Sequence, residues 1–185
     1  MLFRSLPADK HDRLAQLYSP RGSRAGRDGV WEMGDNRDLV VADPELSRGT
    51  LEGGVYEGGG SGLVSTSRDY LRFAQMLLNG GELDGVRILG PQTVKLMSSD
   101  HLGMLPPEHR LPGYGFGLGV STITDLGAFG ELGAEGAFGW GGAAGTRFWV
   151  DPEHRIIGIL FLQSIPHRID LWEKFRVLTY QALVE

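Results

Sequence analysis

The sequence contains no cysteine among its 185 residues. This absence excludes a disulfide framework, a thiolate metal site and a cysteine nucleophile, and it removes any evidence about the redox compartment. Stretches rich in lysine and arginine are also missing, and the formal net charge is -5 with an isoelectric point near 5.5. Proteins that bind a phosphate backbone usually carry a basic patch. We therefore expect no nucleic-acid partner.

Long apolar runs are absent as well. The longest strongly apolar stretch, Ile156 to Leu162, is far too short to span a bilayer. The first residues of the chain show no apolar region of the kind found in a secretory signal peptide. We therefore expect a soluble, cytoplasmic protein with no membrane partner.

Glycine is present in excess, with 29 copies. Many of these glycines are clustered, which predicts tight turns or places where the backbone approaches another group closely. The hydrophobic share of 41% and the charged share of 22% are ordinary for a globular protein. The length fits one core, so residues 1–185 are predicted to form a single domain. Trp31, Trp149 and Trp172 are predicted to pack in its core or at its seams.

Four segments place apolar residues at helical spacing. The strongest begins at Thr66, which together with Asp69 resembles a capping box, and it ends at Gly80 and Gly81. Another begins with Pro91, because proline is favoured in the first turn of a helix. The predicted helices are a short one within Ala8–Tyr18, then Thr66–Asn79, Pro91–Met97 and Ile169–Val184.

Alternating residues indicate strands in the second half of the chain. Tyr114, Phe116, Leu118 and Val120 alternate with three glycines, a period of two that is typical of a strand. Turn residues separate further apolar segments, which favours short strands joined in an antiparallel meander. The predicted fold class is therefore α+β, an antiparallel β-sheet meander with flanking helices. The predicted strands are Val30–Met33, Leu39–Val41, Tyr114–Val120, Phe138–Thr146, Arg147–Val150 and Ile156–Gln163.

Three stretches of the sequence resemble a known family. They are Gly58 to Phe73, Tyr114 to Gly119, and Gly139 to Pro152. All three are similar to the esterase-type branch of the serine β-lactamase family, which is related to class C β-lactamases and D-alanyl-D-alanine carboxypeptidases. The likeness covers nearly the whole chain and keeps the order of the family, and it implies a β-lactamase-like fold.

The last stretch contains Trp140-Gly141-Gly142, which resembles a strand motif that is Lys-Thr-Gly in lactamases and often Trp-Gly-Gly in esterases. By that resemblance, the backbone N–H of Ala143 would stabilise an oxyanion, and the glycines would keep side chains out of the path of the substrate. The alternative is that Trp140 only packs within a glycine-rich strand. The resemblance implies catalytic roles for Trp140, Gly141, Gly142 and Ala143, and substrate-binding roles for Tyr114 and Phe116.

The other two motifs of the family, Ser-x-x-Lys and Tyr-x-Asn or Ser-x-Asn, are missing. None of the three lysines follows a serine at that spacing, and neither asparagine follows a tyrosine or serine two residues earlier. Ser61 offers no replacement, because the sequence around it departs from Gly-x-Ser-x-Gly at the last position. The resemblance therefore implies the C-terminal half of a truncated β-lactamase-like fold that has no serine nucleophile.

Three functional hypotheses remain open. The first is a hydrolase fragment that needs no cofactor and acts on a small-molecule carboxyl ester or phosphoester. The second is a metal-dependent hydrolase, in which His101 or His109 and nearby carboxylates bind a divalent metal that generates hydroxide in a cavity formed by oligomerisation. Each of these histidines could instead be a solvated loop residue. The third is a non-catalytic assembly module.

The predicted truncation has a consequence for assembly. In the resembling fold, the sheet joins strands from both ends of the full-length chain, so an outer strand would lose its partner here. The apolar strand Ile156–Leu162 would then be a template for pairing with another chain. We therefore predict a homodimer or a higher oligomer.

Overall fold

The structure is a computed structural model that describes residues 6–25, 31–32, 34–44, 60, 63–103, 105–167 and 170–184. The chain divides into two compact units. The single domain expected from the chain length stays a prediction. The first unit comprises the described residues of Met1–Tyr70, Ala143–Thr146 and Phe161–Arg168, and the second comprises those of Leu71–Gly142, Arg147–Leu160 and Ile169–Glu185.

The first unit contains short strands near its start. A 3₁₀ helix, Ala8–Arg13, precedes strand β1 (Tyr18–Arg21), and β1 pairs antiparallel with β4 (Asp35–Val41). Between them, β2 (Arg24–Ala25) pairs with β3 (Trp31–Glu32). The strand predicted over Leu39–Val41 is confirmed within β4, whereas parts of the one over Val30–Met33, and the side chain of Trp31, lie outside the described residues.

A short helix does lie within Ala8–Tyr18, but it ends at Arg13, before Leu14, Leu17 and Tyr18, whose spacing had indicated it. Tyr18 opens β1, and its N–H donates to the carbonyl of Gln163 at 2.9 Å while its own carbonyl accepts from the N–H of Ile165 at 2.9 Å. These bonds join segments that are far apart in the sequence. Tertiary pairing therefore overrides the weak helical spacing of the segment.

Helix α1 (Ser67–Leu78) follows the sequence prediction closely. The hydroxyl of Thr66 accepts a hydrogen bond from the N–H of Asp69 at 3.1 Å, which is the predicted cap. The helix ends at Leu78 and is followed by Gly80 and Gly81, whose φ angles of 68° and 99° are left-handed. A hairpin of β5 (Glu82–Leu83) and β6 (Val86–Arg87) then leads to α2 (Pro91–Ser98), which begins with the predicted proline.

A five-stranded sheet forms the centre of the second half of the chain. Its strands lie side by side in sequence order, and the neighbouring strands from β7 to β10 pair antiparallel. This confirms the predicted α+β class and the antiparallel meander with flanking helices. The strands are β7 (Tyr114–Phe116), β8 (Ser121–Ile123), β9 (Phe138–Gly141), β10 (Thr146–Asp151) and β11 (Ile156–Phe161).

The single strand predicted over Tyr114–Val120 is in fact a hairpin. Strand β7 ends at Phe116, and the N–H of Gly117 donates to the carbonyl of Val120 at 2.7 Å across a tight turn. Gly119 has a φ of 88° within this turn, a conformation that glycine adopts without steric cost. The alternation of apolar residues and glycines in the sequence therefore continues from the strand into the turn.

Close packing explains two of the glycines in this hairpin. A Cβ on Gly115 would lie 2.6 Å from the side chain of Asp100, and one on Gly117 would lie 2.0 Å from the carbonyl oxygen of Met97. The end of α2 and the segment after it thus pack directly on the bare backbone of β7 and of the turn that follows it. The carboxylate of Asp100 accepts from the N–H groups of Leu102 and Phe116, and these bonds lower its pKa.

One short α-helix was not expected from the sequence, whereas the C-terminal helix was. The short helix α3 (Leu126–Phe129) lies in the glycine-rich stretch, and the side chain of Asp125 caps it by accepting from the N–H of Ala128 at 2.9 Å. The C-terminal helix α4 (Asp170–Gln181) was expected. Among the described residues, no helix is both long and apolar enough to cross a bilayer.

The core of the second unit is rich in aromatic rings. Trp149 of β10 and Trp172 of α4 are buried, which confirms their predicted packing role, and their ring centroids are 5.1 Å apart. Phe175, which is also on α4, has its ring centroid 5.5 Å from that of Trp149. Gly158 of β11 lies under the Trp149 ring, because a Cβ there would be 1.7 Å from a ring carbon. Trp149 and Gly158 are therefore complementary in size.

Strand β11 lies at one edge of the sheet within the described part of the chain. Its residues are mostly half-buried. An apolar edge strand is a template for pairing. The homodimer or higher oligomer expected from the sequence stays a prediction, which light scattering across a dilution series would test.

Candidate active site

The predicted oxyanion motif lies at the end of β9. Trp140 and Gly141 are the last two residues of the strand, and they pair with Phe148 and Arg147 of β10. The strand predicted over Phe138–Thr146 is interrupted here, because residues 142–145 turn the chain from β9 into β10. The interruption places the motif at the junction of a strand and an exposed turn.

Ala143 lies in this turn and is exposed. Its carbonyl oxygen accepts a hydrogen bond from Nδ1 of His167 at 3.1 Å. Among the described residues, no acceptor is found for its N–H. The N–H that the family resemblance assigns to the oxyanion therefore has no partner in the described part of the chain.

The carbonyls of the next two residues in the turn also accept hydrogen bonds. The carbonyl of Ala144 accepts from the N–H of Ser164 at 3.0 Å, and that of Gly145 accepts from the N–H of Leu162 at 3.4 Å. Gly145 has a φ of 83°, and a Cβ there would lie 3.0 Å from the Cβ atoms of both Leu162 and His167. The segment 162–167 therefore packs closely along the turn.

Two of the predicted site residues in the second unit are in contact. The ring centroids of Trp140 and Phe116 are 4.9 Å apart at an interplanar angle of 84°, an edge-to-face pair. Trp140 is 51% exposed, which leaves about half of its surface available to a ligand. Tyr114 lies elsewhere, because its ring packs edge-to-face on Phe129 and joins the buried cluster around Ile123. The substrate-binding roles of Tyr114 and Phe116 stay predictions.

The two loop histidines proposed as metal ligands lie in different surroundings. Nε2 of His101 bonds to the carbonyl of Leu96 at 2.9 Å, and His109 is exposed on a short 3₁₀ helix. Within the described residues, no three side chains of histidine, aspartate or glutamate are arranged to hold a metal ion. The metal hypothesis therefore gains no support from this part of the chain.

Asp151 forms a separate polar cluster with residues of the turn after β10 and of α4. Its side chain is fully buried, and Oδ2 accepts from Nδ1 of His154 at 2.7 Å and from the hydroxyl of Tyr180 at 2.8 Å. Oδ1 accepts from the N–H groups of Glu153 and His154 at 2.9 and 3.1 Å. The cluster connects the turn after β10 to α4. Burial raises the pKa of Tyr180 above its ordinary value, and the carboxylate of Asp151 raises it further.

We expect Tyr180→Phe to change the alkaline stability of the protein. The raised pKa keeps the folded phenol neutral, whereas the phenol of the unfolded chain ionises near pH 10. The stabilising contribution of Tyr180 is thus complete below that pH and is lost as the pH rises towards the folded pKa. Near neutral pH, the variant should lose about 1 to 3 kcal/mol, because Asp151 keeps its burial and loses a donor.

Denaturant unfolding of both proteins at pH 8 and at pH 11 measures this difference. The gap in the free energy of unfolding between wild type and Tyr180→Phe should narrow at the higher pH. The pKa of Tyr70 is also raised by burial, but Tyr70 is present in both proteins and cancels in the comparison. An equal gap at both pH values would show that Tyr180 is not coupled to folding in this way.

His167 is the residue of the candidate site that sequence reasoning missed. It lies 24 residues after Ala143, and no local motif marks it. Its only local signals are a proline before it and a position shortly before α4. The contact between His167 and Ala143 depends on the three-dimensional packing of the segment after β11 along the turn.

The sheet, its helices and the glycine-rich turn after β9 define a β-lactamase-like fold. The chain belongs to the β-lactamase family, because the family model described as Beta-lactamase matches residues 5–170. Serine hydrolases with this fold need no cofactor, as the resemblance implied.

The chain is similar to part of the length of several related proteins. Protein Rv1367c of Mycobacterium tuberculosis is 41% identical over 116 residues, which are 58% of this chain and 29% of that protein. A putative D-alanyl-D-alanine carboxypeptidase of Escherichia coli is 29% identical over 145 residues, which are 72% of this chain and 32% of that protein. The chain thus spans about a third of the length of these relatives.

A solved structure supports the fold over a larger share of the chain. EstCE1, described as a hydrolase with promiscuous acyltransferase activity, has a TM-score of 0.73 and 22% identity. The alignment covers 97% of this chain and 46% of EstCE1. At this level of identity, the likeness is one of fold.

Proposed function

We propose that this chain supplies the oxyanion strand and turn of a β-lactamase-like hydrolase that acts on small-molecule carboxyl esters. The observation that carries the proposal is the exposed Ala143, whose N–H has no acceptor among the described residues. Ester hydrolysis passes through a tetrahedral intermediate with a negatively charged oxygen. A backbone N–H held on a structured turn can stabilise that charge without reorganising during the reaction.

The neighbouring aromatic pair supports an apolar acyl or alcohol group in the substrate. Trp140 and Phe116 form an edge-to-face pair, and Trp140 remains half exposed. Such rings provide a large apolar contact area at a small cost in side-chain entropy. Trp140 lies three residues before Ala143, so the same short segment carries the apolar surface and the N–H donor.

The character of Trp140 favours neutral esters over substrates that end in a carboxylate. The matching motif in lactamases begins with lysine, which is a cation, whereas an indole is uncharged. A carboxylate that enters beside an indole gains no ion pair and loses hydration. Peptide carboxypeptidase activity, which the name of the E. coli relative suggests for that protein, is therefore the less favoured reaction for this chain.

The proposed reaction also needs a nucleophile. The printed sequence contains no Ser-x-x-Lys, and a serine hydroxyl without an activating base is a weak nucleophile. We therefore propose that the reactive serine and its lysine come from a polypeptide segment other than these 185 residues. The chain would then complete the site and perform no acyl transfer by itself.

A labelling experiment tests this proposal. The chain alone, treated with a fluorophosphonate serine probe, should keep its mass, since it offers no activated serine. Mixing it with a polypeptide that carries the Ser-x-x-Lys and Tyr-x-Asn segments of a family member should produce carboxyl-ester turnover, with the label on the added polypeptide. Intact-mass spectrometry and a p-nitrophenyl ester assay, with and without a chelator, measure both results.

The controls separate the three functional classes. A Ser→Ala change in the added Ser-x-x-Lys motif should abolish both label and turnover. Stoichiometric labelling of a serine in the chain itself would contradict the external nucleophile. Ester turnover by the chain alone that a chelator removes would replace the proposal with metal-dependent hydrolysis, and no turnover in any mixture would leave a non-catalytic module.

A further inference from the structure

We propose that His167 is a positioning residue that holds the Ala143 turn in the geometry required for oxyanion binding. The catalytic consequence rests on the proposed function, whereas the contact itself is a property of the fold. His167 touches no atom of the reacting groups in this assignment. It acts on the carbonyl of the residue whose N–H would bind the oxyanion.

Three successive carbonyls of the turn receive bonds from one segment. Nδ1 of His167 donates to Ala143, while the N–H groups of Ser164 and Leu162 donate to the next two carbonyls. Two of these three donors are main-chain groups. The bond to Ala143, the position that matters for the oxyanion, is the one that comes from a side chain.

The geometry determines which nitrogen of the imidazole carries the proton. A carbonyl oxygen can only accept, so Nδ1 of His167 must be the donor. In the neutral ring, Nε2 is then the nitrogen with the lone pair, and it is buried with no hydrogen-bond partner among the described residues. A hydrogen on Nε2 would be a buried donor without an acceptor, so the Nδ1–H tautomer is favoured.

The histidine is itself held in place. Its Cβ would lie 3.0 Å from a Cβ on Gly145, so the glycine allows the ring to approach the turn. The preceding segment is anchored to β1, because the Tyr18 N–H donates to Gln163 and the Ile165 N–H donates to Tyr18. The hydroxyl of Ser164 also donates to the carbonyl of Pro166 at 3.2 Å. The ring is therefore carried by a segment that has its own hydrogen bonds to a strand.

The contact aims the N–H because two peptide planes meet at the Cα atom of Ala143. His167 holds the plane that contains the Ala143 carbonyl, and this restricts the rotation of the plane that contains the N–H. Gly142 precedes Ala143, and glycine allows a wide range of backbone angles. Without the histidine, the exposed N–H would sample many directions, and displacements of about 1 Å can cost roughly 10²-fold in rate.

Nuclear magnetic resonance of the full chain tests the positioning role directly. In wild type, the ¹⁵N shifts of His167 should show the Nδ1–H tautomer, and the ¹³C shift of the Ala143 carbonyl should show a hydrogen bond. In His167→Ala the carbonyl shift should change, and the N–H of Ser164 should exchange roughly five-fold faster, as expected for the loss of one bond. The N–H of Ile165, which bonds to Tyr18, should exchange as in wild type.

A conservative variant and a matched control make the test decisive. His167→Asn places an amide N–H near the position of Nδ1, so it should restore the carbonyl shift and the slow exchange. His109→Ala, which removes an exposed histidine outside the turn, should change neither. An unchanged turn in His167→Ala would overturn the proposal. Faster exchange that includes Ile165 and is not restored by asparagine would overturn it too, since it would show a general loss of structure.

Activity is a separate readout that tests the proposed function. In the mixture with the Ser-x-x-Lys polypeptide, His167→Ala should lower kcat with little change in KM, and His167→Asn should recover most of the rate. A wild-type mixture without turnover would contradict the proposed function. The resonance data would still decide whether His167 orders the turn.

Discussion

Replacing Ala143 with proline is expected to lower kcat for carboxyl esters by about 10² to 10³-fold in the mixture with the Ser-x-x-Lys polypeptide. Proline has no N–H, so the substitution removes the proposed oxyanion donor and adds no charge. The donor acts mainly on the transition state, so KM should change much less than kcat. Steady-state kinetics with a p-nitrophenyl ester measure the two constants separately.

Two controls distinguish a lost donor from a distorted turn. Ala143→Gly keeps the N–H and should retain most of the rate. In Ala143→Pro, slow exchange of the Ser164 N–H would show that its bond to Ala144 survives. If the proline variant kept full activity with the turn intact, the oxyanion donor would have to be another group.

Trp149→Ala is expected to destabilise the second unit by about 3 to 5 kcal/mol. The ring is 5% exposed and packs against Trp172 and Phe175 of α4, so its removal leaves a large cavity. A domain is typically stable by only about 5 to 15 kcal/mol. The variant should therefore unfold at a much lower denaturant concentration, with Tm lowered by roughly 6 to 20 °C.

Trp140→Ala is the matched control, because it deletes the same side chain from the end of β9. Trp140 is 51% exposed and its described ring contact is with Phe116, so the cost should stay below about 1.5 kcal/mol. Urea unfolding followed by circular dichroism measures both variants. Equal losses of stability would show that Trp140 is part of the core and would weaken its assignment to a binding surface.

Local signals made α1 and α2 predictable. The hydroxyl of Thr66 and the proline at position 91 act within a few residues of the helix starts that they mark, so sequence alone places α1 and α2. The strand boundaries were less predictable. Tyr18 lies in a strand that pairs with β4 and bonds to Gln163 and Ile165, and the hairpin after Phe116 packs against the end of α2 and the segment that follows it.

The candidate site also combines residues that a local motif marks with residues that only long-range contacts bring there. Trp140-Gly141-Gly142 is continuous in sequence and could be matched to a family motif, and the structure places it where β9 meets an exposed turn. The groups that hold the turn come from residues 162–167, about 20 positions later. Two of those groups are main-chain N–H donors, which any residue except proline provides. Sequence patterns carry no information about such contacts.

The fit between Trp149 and Gly158 restricts how this part of the sheet can evolve. A methyl group at position 158 would overlap the indole, so any larger residue there requires a smaller ring or a shifted strand opposite. Neither change is neutral alone. A smaller side chain at position 149 loses packing against α4, and a larger side chain at position 158 displaces the indole of Trp149. The two positions should therefore covary among relatives, with a bulky aromatic at one matched by glycine at the other.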